Sequence, residues 1–131
     1  SVPVPELEFE QTLDFIFDNI NDLLADYNFV YVHIKGPIDE ASHDGNFKAK
    51  VKALEALDKR MEMFKNFDGV VALTTDHITS TEKRMHMPGA VPVLVYGRSR
   101  DKVKTFDEFA VKKGKLKNYN GTKLLKFVFG K

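Results

Sequence analysis

Phe29-Val30-Tyr31-Val32-His33-Ile34-Lys35-Gly36-Pro37 is the stretch on which the fold reading turns. Its first six residues are almost continuously apolar, and Gly36-Pro37 closes the run. Such a run predicts a strand buried on both faces, the kind found in parallel sheets. A second run of the same kind, Val70-Val71-Ala72-Leu73-Thr74, follows Gly69. Between the two, residues 46–64 place Phe47, Val51, Leu54, Leu57, Met61 and Phe64 on one face at helical spacing. Strand, helix and strand with short links make a βαβ unit. The predicted fold class is therefore α/β, a mostly parallel sheet with helices on both faces.

The rest of the chain fits around that unit. Residues 9–27 form an amphipathic helix, with Leu13, Ile16, Phe17, Ile20, Leu23, Leu24 and Tyr27 on its apolar side. Residues 39–45 read as a polar loop and residues 78–89 as a long one. A third strand spans residues 91–96, with Pro92 near its start or on an edge. Residues 97–104 are a basic connection, and short helices are expected at 106–111 and 122–129. The Phe-rich helical faces are expected to form the core. No internal repeat or domain boundary shows.

At 131 residues the chain is read as a single domain, large enough to bury a core. Apolar residues at 43% and charged residues at 30% are those of a globular protein. A net charge of +1 gives no global attraction to nucleic acid or to an anionic membrane. No apolar run approaches the roughly 18 residues of a membrane span. The opening Ser1-Val2-Pro3-Val4-Pro5 lacks the layout of a signal peptide, and the absence of cysteine rules out a disulfide framework. A cytoplasmic location is expected. The start at Ser1 is consistent with a piece of a longer protein.

The chemistry concentrates in two clusters. Asp39 and His43 follow the first strand, and Asp76 and His77 follow the second, with His86 nine residues on. Three of the four histidines belong to this set. Ligands in open α/β sheets bind at the carboxyl ends of the strands, so both clusters are expected on one sheet edge. Carboxylate mixed with imidazole suits a borderline divalent metal. A four-residue step puts Asp39 and His43 on one helix face or across a tight turn. Asp76 and His77 would diverge on a regular strand. They share a metal only if the backbone turns there, or else they serve two neighbouring metals. Either pair alone reads as a solvated face or a cap. All five together point to metal.

The segments Tyr31-Val32-His33-Ile34-Lys35-Gly36, Asp39-Glu40-Ala41-Ser42-His43-Asp44-Gly45 and Leu73-Thr74-Thr75-Asp76-His77, then His86 and Val91-Pro92-Val93, carry a resemblance. They resemble the C-terminal half of the cofactor-independent phosphoglycerate mutases of archaeal type, in the alkaline phosphatase superfamily. The resemblance covers residues 29–96 and extends more loosely through Phe106-Asp107-Glu108 and Gly114. It implies an alkaline-phosphatase-like partial domain, with residues 1–131 as the C-terminal portion of the catalytic domain. It implies that Asp39, His43 and His86 hold one divalent metal and that Asp76 and His77 hold a second. Manganese is foremost, with magnesium, cobalt or zinc as alternatives. It also implies interconversion of 3-phosphoglycerate and 2-phosphoglycerate through a phosphoserine.

The chain departs from the family in several places. The family's nucleophilic serine, early aspartate and substrate-binding insert have no counterpart here, so the missing N-terminal half is an expected partner and the chain alone is expected to be inactive. Ile78 stands where the family has a small polar residue, and Met87 where it has a serine. Another phosphatase or phosphomutase of the superfamily, or a non-catalytic binding module, are the other readings.

Further residues have plainer readings. His33 is expected to be a core or metal-supporting histidine rather than a ligand. Lys35, Arg84, Arg98 and Arg100 are surface charge in the first instance, phosphate contacts in the second. Ser42 reads as a loop residue. The run Lys112-Lys113-Gly114-Lys115-Leu116-Lys117 reads as a solvated loop, with no nucleic-acid partner implied.

Overall fold

The computed structural model describes residues 2–130 and divides into two compact units. One contains residues 2–63 and 79–85, the other residues 64–78 and 86–130.

The first unit is helical. α1 (Phe9–Asp26) turns Leu13, Phe17 and Ile20 inward, at the three- and four-residue steps of one helical face. Gln11 accepts a hydrogen bond from the Glu8 N–H at 3.3 Å and so closes the first turn. Leu13 is fully enclosed, which contributes about 2 kcal/mol of apolar burial. Pro37 opens α2 (Pro37–His43), where its fixed φ and missing N–H suit the first helical position. Gly45, at φ 73°, reverses the chain, and the Asn46 side chain caps α3 (Phe47–Met61) by accepting from the Ala49 N–H at 3.1 Å. α2 packs against α3, and α3 against α1. The buried residues of α2 and α3 are small: Ala41, Ser42, Ala53 and Ala56. Arg60 on α3 binds Asp14 on α1 through Nη2 at 2.8 Å and Nε at 2.9 Å.

In the second unit β1 (Val71–Thr74) pairs antiparallel with β4 (Val93–Tyr96), Val71 opposite Tyr96 and Thr74 opposite Val93. The Tyr96 hydroxyl donates to the Lys65 carbonyl at 2.8 Å. Gly97 ends β4 at φ 82°, and a Cβ there would overlap the Gly69 carbonyl oxygen. Pro92 lies just before the strand, where its missing N–H costs no ladder bond. α4 (Leu124–Val128) buries Val128, whose carbonyl accepts from the Arg98 guanidinium. A separate two-stranded sheet joins β2 (Ile78–Ser80) to β3 (Met85–Met87).

Several expectations change. Residues 29–34 carry no strand: Tyr31 is 76% exposed, and Phe29 and Val32 are exposed as well. An apolar run becomes a strand only when another strand completes its backbone hydrogen bonds, and none pairs with it among the described residues. The one pairing with a described register is antiparallel, and no parallel sheet flanked by helices appears among the described residues. Residues 39–43 are helix, not loop, and residues 78–87 hold β2 and β3 rather than a featureless loop. Residues 106–110 are turns leading into a 3-10 turn at Val111–Lys113, not a helix. Phe47 is exposed because α3 makes its helix contacts through Ala53 and Ala56 instead, and Phe109 and Leu125 are exposed as well.

Candidate metal centre

Asp39 and His43 lie one turn apart on α2, as their spacing requires. The His43 Nε2 faces the Asp39 Oδ2 at 3.6 Å. Their outer atoms are engaged elsewhere. Thr79 Oγ1 donates to Asp39 Oδ1 at 2.6 Å, and His43 Nδ1 lies 3.1 Å from the Arg84 carbonyl oxygen. Lys50 on α3 donates to the Thr79 carbonyl at 2.9 Å. The side chains of His43 and Asp39 are 42% and 48% exposed, so incoming solutes reach them.

Asp76 and His77 sit in a bend after β1. The Asp76 Oδ1 accepts from the His77 backbone N–H at 3.0 Å, while the Asp76 Oδ2 approaches the His77 Nε2 at 3.4 Å. The turn needed for neighbouring side chains to converge is therefore present. Desolvation raises the Asp76 pKa. Backbone hydrogen bonds of Asp76 and His77, the His77 charge and the Thr75 hydroxyl outweigh it and hold the carboxyl below its ordinary value. The His77 ring also lies 3.9 Å from the His86 ring, centroid to centroid, tilted by 33°.

Among the described residues, Asp39, His43 and His86 form one group able to hold a metal ion: a donor atom from each lies within 4.8 Å of the others. One carboxylate and two imidazoles suit a borderline divalent ion. Three donors leave a coordination position for water or substrate.

Other residues separate cleanly. Ser42 is fully buried in α2, and its Oγ donates to the Ile38 carbonyl at 2.8 Å, so it is neither a loop residue nor a nucleophile. His33 is exposed, its ring 6.3 Å from that of Tyr31, and is not a core histidine. Arg98 serves the end of α4. Thr79 and Lys50 escape sequence reading, because Thr79 meets a carboxylate forty residues away along the chain.

Residues 5–131 match the model of the metalloenzyme superfamily. The chain is 39% identical over 105 residues to the 2,3-bisphosphoglycerate-independent phosphoglycerate mutase of Methanococcus aeolicus, covering 76% of the chain and 26% of that protein. It is 43% identical over 101 residues to the enzyme of the same name from Ignicoccus hospitalis, covering 73% and 24%. The chain thus spans about a quarter of the length of such relatives. The structure of the PH0037 protein from Pyrococcus horikoshii is similar at a TM-score of 0.77 and 30% identity, covering 87% of this chain and 36% of that one.

Proposed function

The chain belongs to the metalloenzyme superfamily, and from that membership we propose that it is the C-terminal, metal-binding portion of an archaeal-type phosphoglycerate mutase. The observation that carries the reading is the grouping of Asp39, His43 and His86 donor atoms within 4.8 Å. The names of the similar archaeal proteins support the same substrate class, a small phosphorylated acid.

In this reading Asp39, His43 and His86 hold one divalent ion, and Asp76 with His77 contributes to a second. Manganese is the foremost candidate, ahead of magnesium, cobalt and zinc. Such ions, when bound, neutralise phosphoryl charge and lower the pKa of an attacking hydroxyl. The protein residues supply the rest. Asp39 brings negative charge toward a dication, while His43 and His86 offer neutral nitrogens. Asp76, held ionised by its hydrogen bonds, adds a second carboxylate. Ser42 is committed to the Ile38 carbonyl, and in this reading, following the family resemblance, the phosphoryl acceptor is a serine outside this chain. That serine would take the phosphoryl group from one glycerate oxygen, which becomes a free hydroxyl, and return it to the neighbouring hydroxyl, which restores the serine and completes the product. Residues 29–34 and β1 join a mostly parallel sheet in the complete domain, in an alkaline-phosphatase-like arrangement. No helix among the described residues is long and apolar enough to cross a membrane, and we place the enzyme in the cytoplasm.

The test uses the full-length protein. Asp39→Ala and His86→Ala should each lower 3-phosphoglycerate turnover by orders of magnitude while leaving the melting temperature within a few degrees. Full turnover with either ligand missing overturns the assignment.

A further inference from the structure

We propose that Thr79 and the backbone carbonyl of Arg84 are positioning groups, which fix Asp39 as a one-oxygen donor and His43 as an Nε2 donor. The inference rests on the metal reading of Asp39 and His43 above and deepens it.

The geometry is specific at each atom. A carboxylate has two oxygens, and Thr79 Oγ1 holds one of them, Oδ1, at 2.6 Å. That is a short, charge-assisted bond, and it fixes the rotation of the carboxylate. Oδ2 is the oxygen turned toward His43. At His43 the argument is about a proton. A carbonyl oxygen can only accept, so the contact from Nδ1 to the Arg84 carbonyl at 3.1 Å requires the proton on Nδ1. In the neutral ring that leaves the lone pair on Nε2, the nitrogen facing Asp39. Both groups therefore present one defined atom each to the same space.

The supports are themselves held. Lys50 on α3 donates to the Thr79 carbonyl at 2.9 Å, so β2 is tied to the helix beside α2. Arg84 sits at φ 55°, in the left-handed region that a non-glycine residue occupies at a cost of about 1–2 kcal/mol. Backbone strain of this kind persists where the surroundings over-determine it, and it gathers at functional sites. The Arg84 side chain lies over Gly45, where a Cβ would stand 2.6 Å from its Nε. The missing Cβ of Gly45 admits the guanidinium beside the turn that joins α2 to α3. Hydrogen-bonded partners behind metal ligands commonly govern affinity by 10- to 100-fold.

The experiment takes the full chain and titrates it with Co²⁺ by calorimetry, alongside Thr79→Val and Thr79→Ser. Thr79→Val keeps the shape and removes the hydroxyl. It should weaken Co²⁺ binding about 10- to 100-fold, while Thr79→Ser should stay within about threefold of the parent, since it keeps the donor. Equal affinity of parent and Thr79→Val overturns this inference and leaves the metal reading standing. No uptake by the parent overturns both. Nitrogen-15 NMR of the metal-free parent provides a check independent of any variant's folding. His43 should carry its proton on Nδ1, and a proton on Nε2 overturns the Arg84 role.

Discussion

Asp39→Asn isolates the charge at the metal centre from the shape around it. An asparagine carbonyl still accepts the hydrogen bond that Thr79 gives to Oδ1 at 2.6 Å, so the frame is retained. What disappears at the ligand position is one negative charge and, because the amide carbonyl is the oxygen held by Thr79, the donor oxygen with it, so the charge alone sets a lower bound on the loss. The Asp39 side chain is 48% exposed, so the solvent-like limit of the dielectric is the one to use. A single charge about 2.1 Å from a dication is then worth about 4 kcal/mol, roughly a thousandfold in affinity. Stability should change little, because a half-exposed carboxylate on a helix surface carries no core packing. Calorimetric titration of parent and variant with Co²⁺ gives the affinity, and circular dichroism gives the melting temperature. If Asp39→Asn binds Co²⁺ within about threefold of the parent, a span of under 1 kcal/mol, the carboxylate does not ligate and the reasoning fails.

Other consequences concern the fold. Leu13→Ala should cost about 2–5 kcal/mol in chemical denaturation, since Leu13 is fully enclosed and the space left behind collapses only in part; a cost below about 1 kcal/mol contradicts the packing of α1. Gly97→Ala combines a left-handed φ of 82° with overlap on the Gly69 carbonyl. It should lower stability by more than the roughly 1–2 kcal/mol of the backbone term alone, and an unchanged melting curve counts against the β4 ending described above. Asp101 has its pKa depressed below 3.8, first by the Lys115 backbone N–H and then by that of Val103. A depressed pKa means that the folded state binds fewer protons than the unfolded one. The contribution is present above the ordinary value and lost as pH falls through the folded one. Asp101→Asn should therefore flatten the fall of melting temperature below about pH 4, and an acid limb as steep as the parent's removes the linkage.

Some of this molecule is legible from spacing alone. α1 and α3 declare themselves through apolar residues at helical steps. β1 and β4 do so through short β-rich runs beside Gly69 and Pro92. The step from Asp39 to His43 gives their shared face, because four residues make about one helical turn. Residues 29–34 mislead for a physical reason: their side chains suit a strand, but a strand exists only with a partner to complete its hydrogen bonds. β2 and β3 are three residues each, too short for any periodicity to register. Phe47 and Leu54 look like core and lie exposed, because close helix contact selects small residues such as Ala53 and Ala56 over large ones. Thr79 could not be found beforehand, since its significance is a contact with Asp39 and nothing local to Ile78-Thr79-Ser80 announces it.

The most direct test is a crystal of this chain grown with Mn²⁺, with anomalous diffraction used to locate the ion. The account predicts a peak about 2.0–2.2 Å from a single oxygen of Asp39 and from one nitrogen each of His43 and His86. A well-ordered peak elsewhere, or none at this group at saturating Mn²⁺, contradicts it.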